Sequence, residues 1–309
     1  MIEWIFILLI SLIGLYKFSD ILVEELERFA EYSNISSLAV GFIFLAASTS
    51  IPELSISITS SILKIGNLGI ATSIGNIIYD LLLIFGIVAI WYGIRIDEKS
   101  YERIKKISVI SLISLFPLLI IKYYNYIYGL ILSLVFVILG WYLLYEEKKE
   151  TKKYYYYSRK EKIRNKIVIS ITLLLAIFFS FLISTSSKII IENTSISASF
   201  IGALITSFFS SSGELFACLN AAKRKKYDLI IGTIFGTLMI DSTFVPGIAM
   251  LFSSAHIEKQ FYLLYFFLLI SLLSILAFFK MKKEIWIQEG LILLFLFLFY
   301  VILNILFVG

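Results

Sequence analysis

One cysteine, Cys218, and one histidine, His256, occur in 309 residues. A single thiol excludes an intramolecular disulfide framework and any multi-cysteine metal site, and a single imidazole excludes an HExxH zinc centre. Cys218 reads as a small packing residue and His256 as a loop residue. Proline is nearly absent too, with three in the chain, so long helices can run with few breaks; Pro52 and Pro246 stand out because they fall inside apolar runs. Charged residues make up only 16% of the chain. What remains is apolar: 60% of residues are hydrophobic and mean hydropathy is +0.94. Such a composition belongs to an integral membrane protein rather than a soluble domain. The runs do not alternate apolar with polar residues, which excludes a β-barrel pattern. The formal charge of +5 comes from short basic runs between apolar segments. There they orient membrane helices, so no nucleic-acid partner is expected.

A helical span needs about 20 apolar residues. Ten segments qualify in this sequence, centred on Ile2 to Tyr16, Ser36 to Ile62, Leu68 to Trp91, Ile107 to Ile121, Tyr126 to Tyr145, Ile167 to Ile183, Ser197 to Ala222, Leu229 to Leu251, Phe261 to Phe279 and Ile285 to Phe307. The first lacks a basic leader and a small-residue cleavage site and reads as a retained helix. Alternate loops hold 23 and 4 of the 27 Lys and Arg residues. That split predicts a multi-pass cell-membrane protein with both termini outside and the basic linker 146–166 in the cytoplasm. Trp91, Tyr92, Tyr123, Tyr124 and Trp141 lie near span ends and read as interfacial anchors.

The chain also repeats itself. From Gly41 to Ile87 against Gly202 to Ile248, without a gap, 12 of 47 positions are identical at an offset of 161. The matches include Ser50, Glu53, Gly75, Asp80 and Gly86 with Ser211, Glu214, Gly236, Asp241 and Gly247. Both copies separate Glu from Asp by 27 residues, room for two helices and a short turn. An odd number of spans per half inverts one half relative to the other. The expected fold is therefore all-α, with ten transmembrane helices as two inverted five-helix repeats, 1–145 carrying the copy 41–87 and 167–309 carrying the copy 202–248. Inverted repeats are a transporter signature, with the site near the midplane where the halves meet.

An ionisable residue at membrane depth marks an ion or substrate path unless a partner explains it. Helical spacing groups Thr49 and Ser50 with Glu53, Ser210 and Ser211 with Glu214, Asn76 with Asp80, and Thr237 with Asp241. Such a set offers only oxygen, which suits a hard cation such as Ca²⁺ with its about 6 to 8 oxygen ligands, whereas softer metals want nitrogen or sulfur. Pro52 removes a backbone donor and is expected to free carbonyls near Ala46 and Ala47. Ala71 with Gly75, and Gly232 with Gly236, form small-residue faces for close helix approach.

The stretch Thr49-Ser50-Ile51-Pro52-Glu53, the gap of 27 to an acid and the inverted second copy resemble the α-repeats of the sodium/calcium exchanger family, within the cation/Ca²⁺ exchanger superfamily. The resemblance implies a secondary-active antiporter, not an enzyme, moving Ca²⁺ against Na⁺ or H⁺ with no cofactor. Membrane lipid and inorganic cations are its partners, and no obligate protein partner is inferred. Carried over by position, it implies ion ligands at Thr49, Ser50, Glu53, Asn76, Asp80, Ser210, Ser211, Glu214, Thr237 and Asp241, and at the carbonyls of Ala46 and Ser207. The sequence departs from the family pattern where Asp80 replaces the usual Asn, where Asn76 and Thr237 stand for Ser, and where Ser48 and Phe209 replace Gly. A protonated Asp80 would stand in for the Asn, or would release H⁺ when Ca²⁺ binds. The same oxygens would serve a cation/proton antiporter or an exchanger of another divalent ion. A channel, or an intramembrane aspartyl protease using Asp80 and Asp241, would leave more unexplained.

Overall fold

Lipid offers no partner for backbone N–H and C=O groups, so a chain this apolar satisfies them within helices. The computed structural model describes residues 2–32, 50–146, 157–225 and 227–306. Over these the helices are α1 (Ile2–Tyr32), α2 (Ile51–Ile62), α3 (Gly66–Tyr92), α4 (Glu98–Leu115), α5 (Tyr126–Glu146), α6 (Arg159–Asn193), α7 (Ala198–Lys223), α8 (Tyr227–Phe252), α9 (Gln260–Lys282) and α10 (Ile287–Leu306). Four two-residue strands separate some of them: β1 (Ile94–Arg95), β2 (Tyr123–Tyr124), β3 (Ala255–His256) and β4 (Glu284–Ile285). Among the described residues six helices, α3 and α6 to α10, are long and apolar enough to cross a membrane, which makes this a membrane protein.

The offset of 161 found in the sequence carries through the elements. Ile51–Ile62 corresponds to Ser212–Lys223, Gly66–Ile78 to Tyr227–Met239, β1 to β3 and β2 to β4. The turns between the first two pairs each hold a left-handed lysine, Lys64 at φ 68° and Lys225 at φ 54°. Strand pairing crosses between the halves, β1 with β4 and β2 with β3, both antiparallel.

Among these six spans α3 and α8 are the most deeply buried, while α6 and α10 bury the smallest share of their residues. Interhelical contact in lipid rests on van der Waals packing and small residues. At Gly75 a Cβ would stand 2.7 Å from the Ala203 carbonyl and from the Ser207 hydroxyl. Only glycine lets α3 approach α7 so closely. The matching expectation for Gly232 is corrected: among the described residues nothing lies within 4 Å of a Cβ there.

Helices α1 and α6 run well beyond their apolar centres because their polar ends hold each other. Asn165 donates to the Glu25 carbonyl and carboxylate, both at 2.7 Å, and the Tyr32 hydroxyl donates to Asn165 Oδ1 at 2.8 Å. Ser158 and Glu161 cap α6 reciprocally, so residues 159–166 of the linker are helical. His256 sits in β3 opposite Tyr123 rather than in a loop. Tyr124 is not an interfacial anchor: successive strand residues face opposite ways, and in β2 Tyr123 points out while Tyr124 is 1% exposed. Trp91, Tyr123 and Trp141 are exposed.

Candidate functional site

Glu53 is the third residue of α2, and Glu214 is the third residue of the matching stretch Ser212–Lys223. Pro52 precedes Glu53 in the first turn, where its missing N–H has no partner to lose. Ala46, Ala47 and Thr49 lie outside the described residues. Asp80 and Asp241 each occupy the second position of a widened helical turn, Tyr79–Ile84 in α3 and Ile240–Phe244 in α8. The backbone there bonds five residues back, from Phe85 N–H to the Asp80 carbonyl and from Val245 N–H to the Ile240 carbonyl. Such turns bulge the backbone and recur at functional sites. Nothing in the apolar composition around the two acids signals them. A third widened turn, Ile201–Thr206 in α7, lies beside the Gly75 contact.

All four acids are fully buried, and so are Asn76 and Thr237. The hydrogen bonds that Asn76 forms run between the halves, not to the acid that shares its helix face. Asn76 Nδ2 donates to Asp241 Oδ2 at 2.9 Å rather than to Asp80. Its Oδ1 accepts from the Ser211 hydroxyl, and from the Ser210 hydroxyl at 3.4 Å. The Ser210 hydroxyl faces Glu53, and the Ser50 hydroxyl faces Asp241. Neither contact is a well-formed hydrogen bond, since Ser50 Oγ and both Glu53 oxygens lack a partner. Packing of α3 against α7 and α8 sets donors of one half opposite acceptors of the other, an arrangement that spacing along one helix cannot reveal. The Ser207 carbonyl already accepts from the Ser211 N–H at 2.9 Å and the Ser211 hydroxyl at 2.8 Å.

Among the described residues, both oxygens of Glu53, Asp80 and Glu214 are buried without a hydrogen bond, as are Asp241 Oδ1 and the Thr237 and Ser50 hydroxyls. Glu214 is within electrostatic reach of Asp80, Glu53 and Asp241, and Asp80 of Glu53. Bare carboxylates buried together carry a penalty of several kcal/mol each, which a cation or a proton must offset. Among the described residues the ion pairs formed by Lys and Arg involve other acids, such as Glu24, Glu25, Glu98 and Glu284. Among the same residues no three acid, imidazole or thiol groups converge as a ready-made metal centre. A bound cation would draw on acids, hydroxyls and amide oxygen together. Cys218, one turn beyond Glu214, is buried as a packing residue.

A helical membrane protein with an oxygen-only, acid-rich site drawn from two equivalent segments belongs to the class of ion transporters. The sodium/calcium exchanger protein family matches residues 3–145 and 166–306, and the chain is a member of it. It is thus a transporter and not an enzyme, which sets aside the protease reading of Asp80 and Asp241. An uncharacterized membrane protein of Methanocaldococcus jannaschii is 29% identical over 240 residues, covering 75% of this chain and 76% of that one. The sodium/calcium exchanger MaX1 of Methanosarcina acetivorans is 31% identical over 110 residues, 36% of this chain and 31% of that protein. A solved structure of the sodium-calcium exchanger NCX_Mj superposes with a TM-score of 0.64 at 26% identity, covering 97% of both chains.

Proposed function

We propose that this protein exchanges Ca²⁺ for Na⁺ across the cell membrane by alternating access, through one midplane site shared by two inverted halves, 1–145 and 167–309. The observation that carries the reading is the set of buried, unpartnered carboxylate oxygens contributed by both halves around the Asn76–Asp241 bridge. Glu53 and Glu214 coordinate Ca²⁺, with hydroxyls of Ser50, Ser210, Ser211 and Thr237 and the Asn76 amide oxygen completing its shell, and Asp80 and Asp241 balance charge with Na⁺. Thr49 and the carbonyls of Ala46 and Ser207 belong to the same proposed set. Bare acids resist crossing and loaded ones do not, which enforces exchange. Ten spans, termini outside and the linker 146–166 inside follow from the 23 to 4 split of basic residues between alternate loops. The common offset of 161 and the crossed strand pairs support the two-half arrangement.

One observation favours H⁺ as a second counter-ion. Asp80 adds an acid where the family pattern has Asn, and among the described residues neither of its oxygens has a hydrogen-bond donor. A proton on that extra acid would restore the charge of the family pattern and would leave when Ca²⁺ binds. Uptake of Ca²⁺ into proteoliposomes, driven in parallel by outward Na⁺ and outward H⁺ gradients, tests both. Na⁺-driven uptake is expected. Uptake driven by H⁺ alone would make Asp80 the coupling residue, and no uptake with either gradient would overturn the proposal.

A further inference from the structure

Beyond Glu53, the buried face of α2 is lined with hydroxyls. Ser57, Ser60 and Ser61 are fully buried, and Tyr124 of β2 is 1% exposed. Ser60 donates to the Ser57 carbonyl at 3.2 Å, but among the described residues Ser57 Oγ and Ser61 Oγ have no hydrogen-bond partner, and the Tyr124 hydroxyl faces the Ser253 hydroxyl without a well-formed bond. These groups meet α3 at two glycines. A Cβ on Gly69 would stand 2.7 Å from Ser57 Oγ and 2.8 Å from Ser60 Oγ. One on Gly66 would stand 2.5 Å from the Tyr124 hydroxyl and 3.4 Å from Ser61 Oγ, and would collide with Ser253 Oγ. The seam therefore runs from Glu53 past Ser57 and Ser61 to the α2–α3 turn at Lys64.

The equivalent seam beside Glu214 is built differently. At the offset of 161, Ser57, Ser60 and Ser61 become Cys218, Ala221 and Ala222, and Gly66 and Gly69 become Tyr227 and Ile230. Cys218, Ala221, Ala222 and Ile230 are all buried. One half thus carries a file of unpartnered hydroxyls and the other an apolar seal.

We propose that the Ser57–Ser61–Tyr124 seam is a narrow water path from the membrane face bearing the α2–α3 turn to the Glu53 carboxylate, and that the Cys218–Ala222 seam stays dry. Buried hydroxyls left unpaired favour hydration whenever the helices breathe, since each water supplies the missing bonds, whereas an apolar seam of the same width gains nothing from wetting. Gly69 packs directly on α2, where a Cβ would collide with Ser57 Cα, so water enters only as the helices separate and the path stays single-file. Glu53 can then rehydrate from its own side when an ion leaves, whichever ion that is.

Thiol accessibility in lipid nanodiscs tests the path without depending on transport. In a Cys218→Ala background, the single variants Ser57→Cys, Ser61→Cys and Ala222→Cys are titrated with Ag⁺ and with a bulky methanethiosulfonate. Ser57→Cys and Ser61→Cys are expected to react with Ag⁺ at least about tenfold faster than Ala222→Cys, with no reaction toward the bulky reagent, as a water-width path requires. Equal Ag⁺ rates at positions 61 and 222 would overturn the proposal. So would rapid reaction of Ser61→Cys with the bulky reagent, which would mean an open vestibule. Hydroxyl-radical footprinting of the unmodified protein needs no variant. Tyr300 is as buried as Tyr124, but its hydroxyl donates to the Ala203 carbonyl at 2.9 Å. Tyr124 is expected to be labelled faster than Tyr300, and equal labelling would contradict a water path.

Discussion

Two carboxylates, one from each half, carry the proposed exchange, and their removal has a defined consequence. Glu53→Gln or Glu214→Gln keeps the side-chain volume but deletes one of the two charges assigned to Ca²⁺ itself, so Na⁺-driven Ca²⁺ uptake should fall to background in each. Asn76 acts differently, as the bridge between Asp241 and Ser211. A hydrogen bond to a charged group contributes about 1.5 to 3 kcal/mol, so Asn76→Ala should weaken Ca²⁺ affinity by about tenfold or more, read by equilibrium binding. A change of less than twofold would mean the bridge is incidental to the site. The acids themselves were legible in the sequence, because a Glu or Asp is costly to keep inside an apolar run, and two copies of the chain keep both at one spacing. Their partners were not. Helical spacing pairs Asn76 with Asp80, yet the side chain reaches across to Asp241, because contacts between halves depend on how α3 and α8 pack and not on the order of residues along either.

Helix approach decides whether the two halves can share a site, and the glycines on α3 set that approach. Gly75→Val would drive a branched side chain into the Ala203 carbonyl and the Ser207 hydroxyl. Overpacking of this kind costs about 1 to 3 kcal/mol or more, so the variant should unfold at lower temperature in detergent and transport poorly. Gly232→Ala is the control: its surroundings are open, and alanine is preferred over glycine in a helix by about 1 kcal/mol, so it should be neutral or stabilising. The loop residue Glu258 ties α7 to α3 at one end of the bundle, accepting from the Ser199 N–H at 2.9 Å and from Asn67 Nδ2 at 3.1 Å. Glu258→Ala leaves both donors without that acceptor and should destabilise the protein by about 1 to 3 kcal/mol, measured by thermal unfolding. Helix positions were legible from the apolar runs: α3 and α8 lie where hydropathy puts them, while the first part of the expected span 36–62 lies outside the described residues. The full lengths of α1 and α6 were not, because Glu25 and Asn165 extend them with polar contacts that hydropathy scores as loop. The widened turns at Asp80 and Asp241 left no mark in the sequence either.

At the scale of the whole molecule, the duplication is the most legible feature, since one offset of 161 relates the acids, the helix starts, the left-handed lysines and the crossed strands. Orientation in the membrane rests on the distribution of basic residues. Lys153→Cys, in the linker, should therefore react with an impermeant thiol reagent only after cells are permeabilised, and labelling of intact cells would reverse the assigned topology. In the proposed exchanger both halves build one site for which Ca²⁺ and Na⁺ compete. Equilibrium Ca²⁺ binding to the purified protein, with and without Na⁺, tests it most directly in the unmodified chain beside Glu53→Gln and Glu214→Gln. One Ca²⁺ per chain, displaced by Na⁺ and lost in either variant, is the result expected. Binding that survives in one variant at unmodified affinity, or that Na⁺ leaves unchanged, would contradict a shared site.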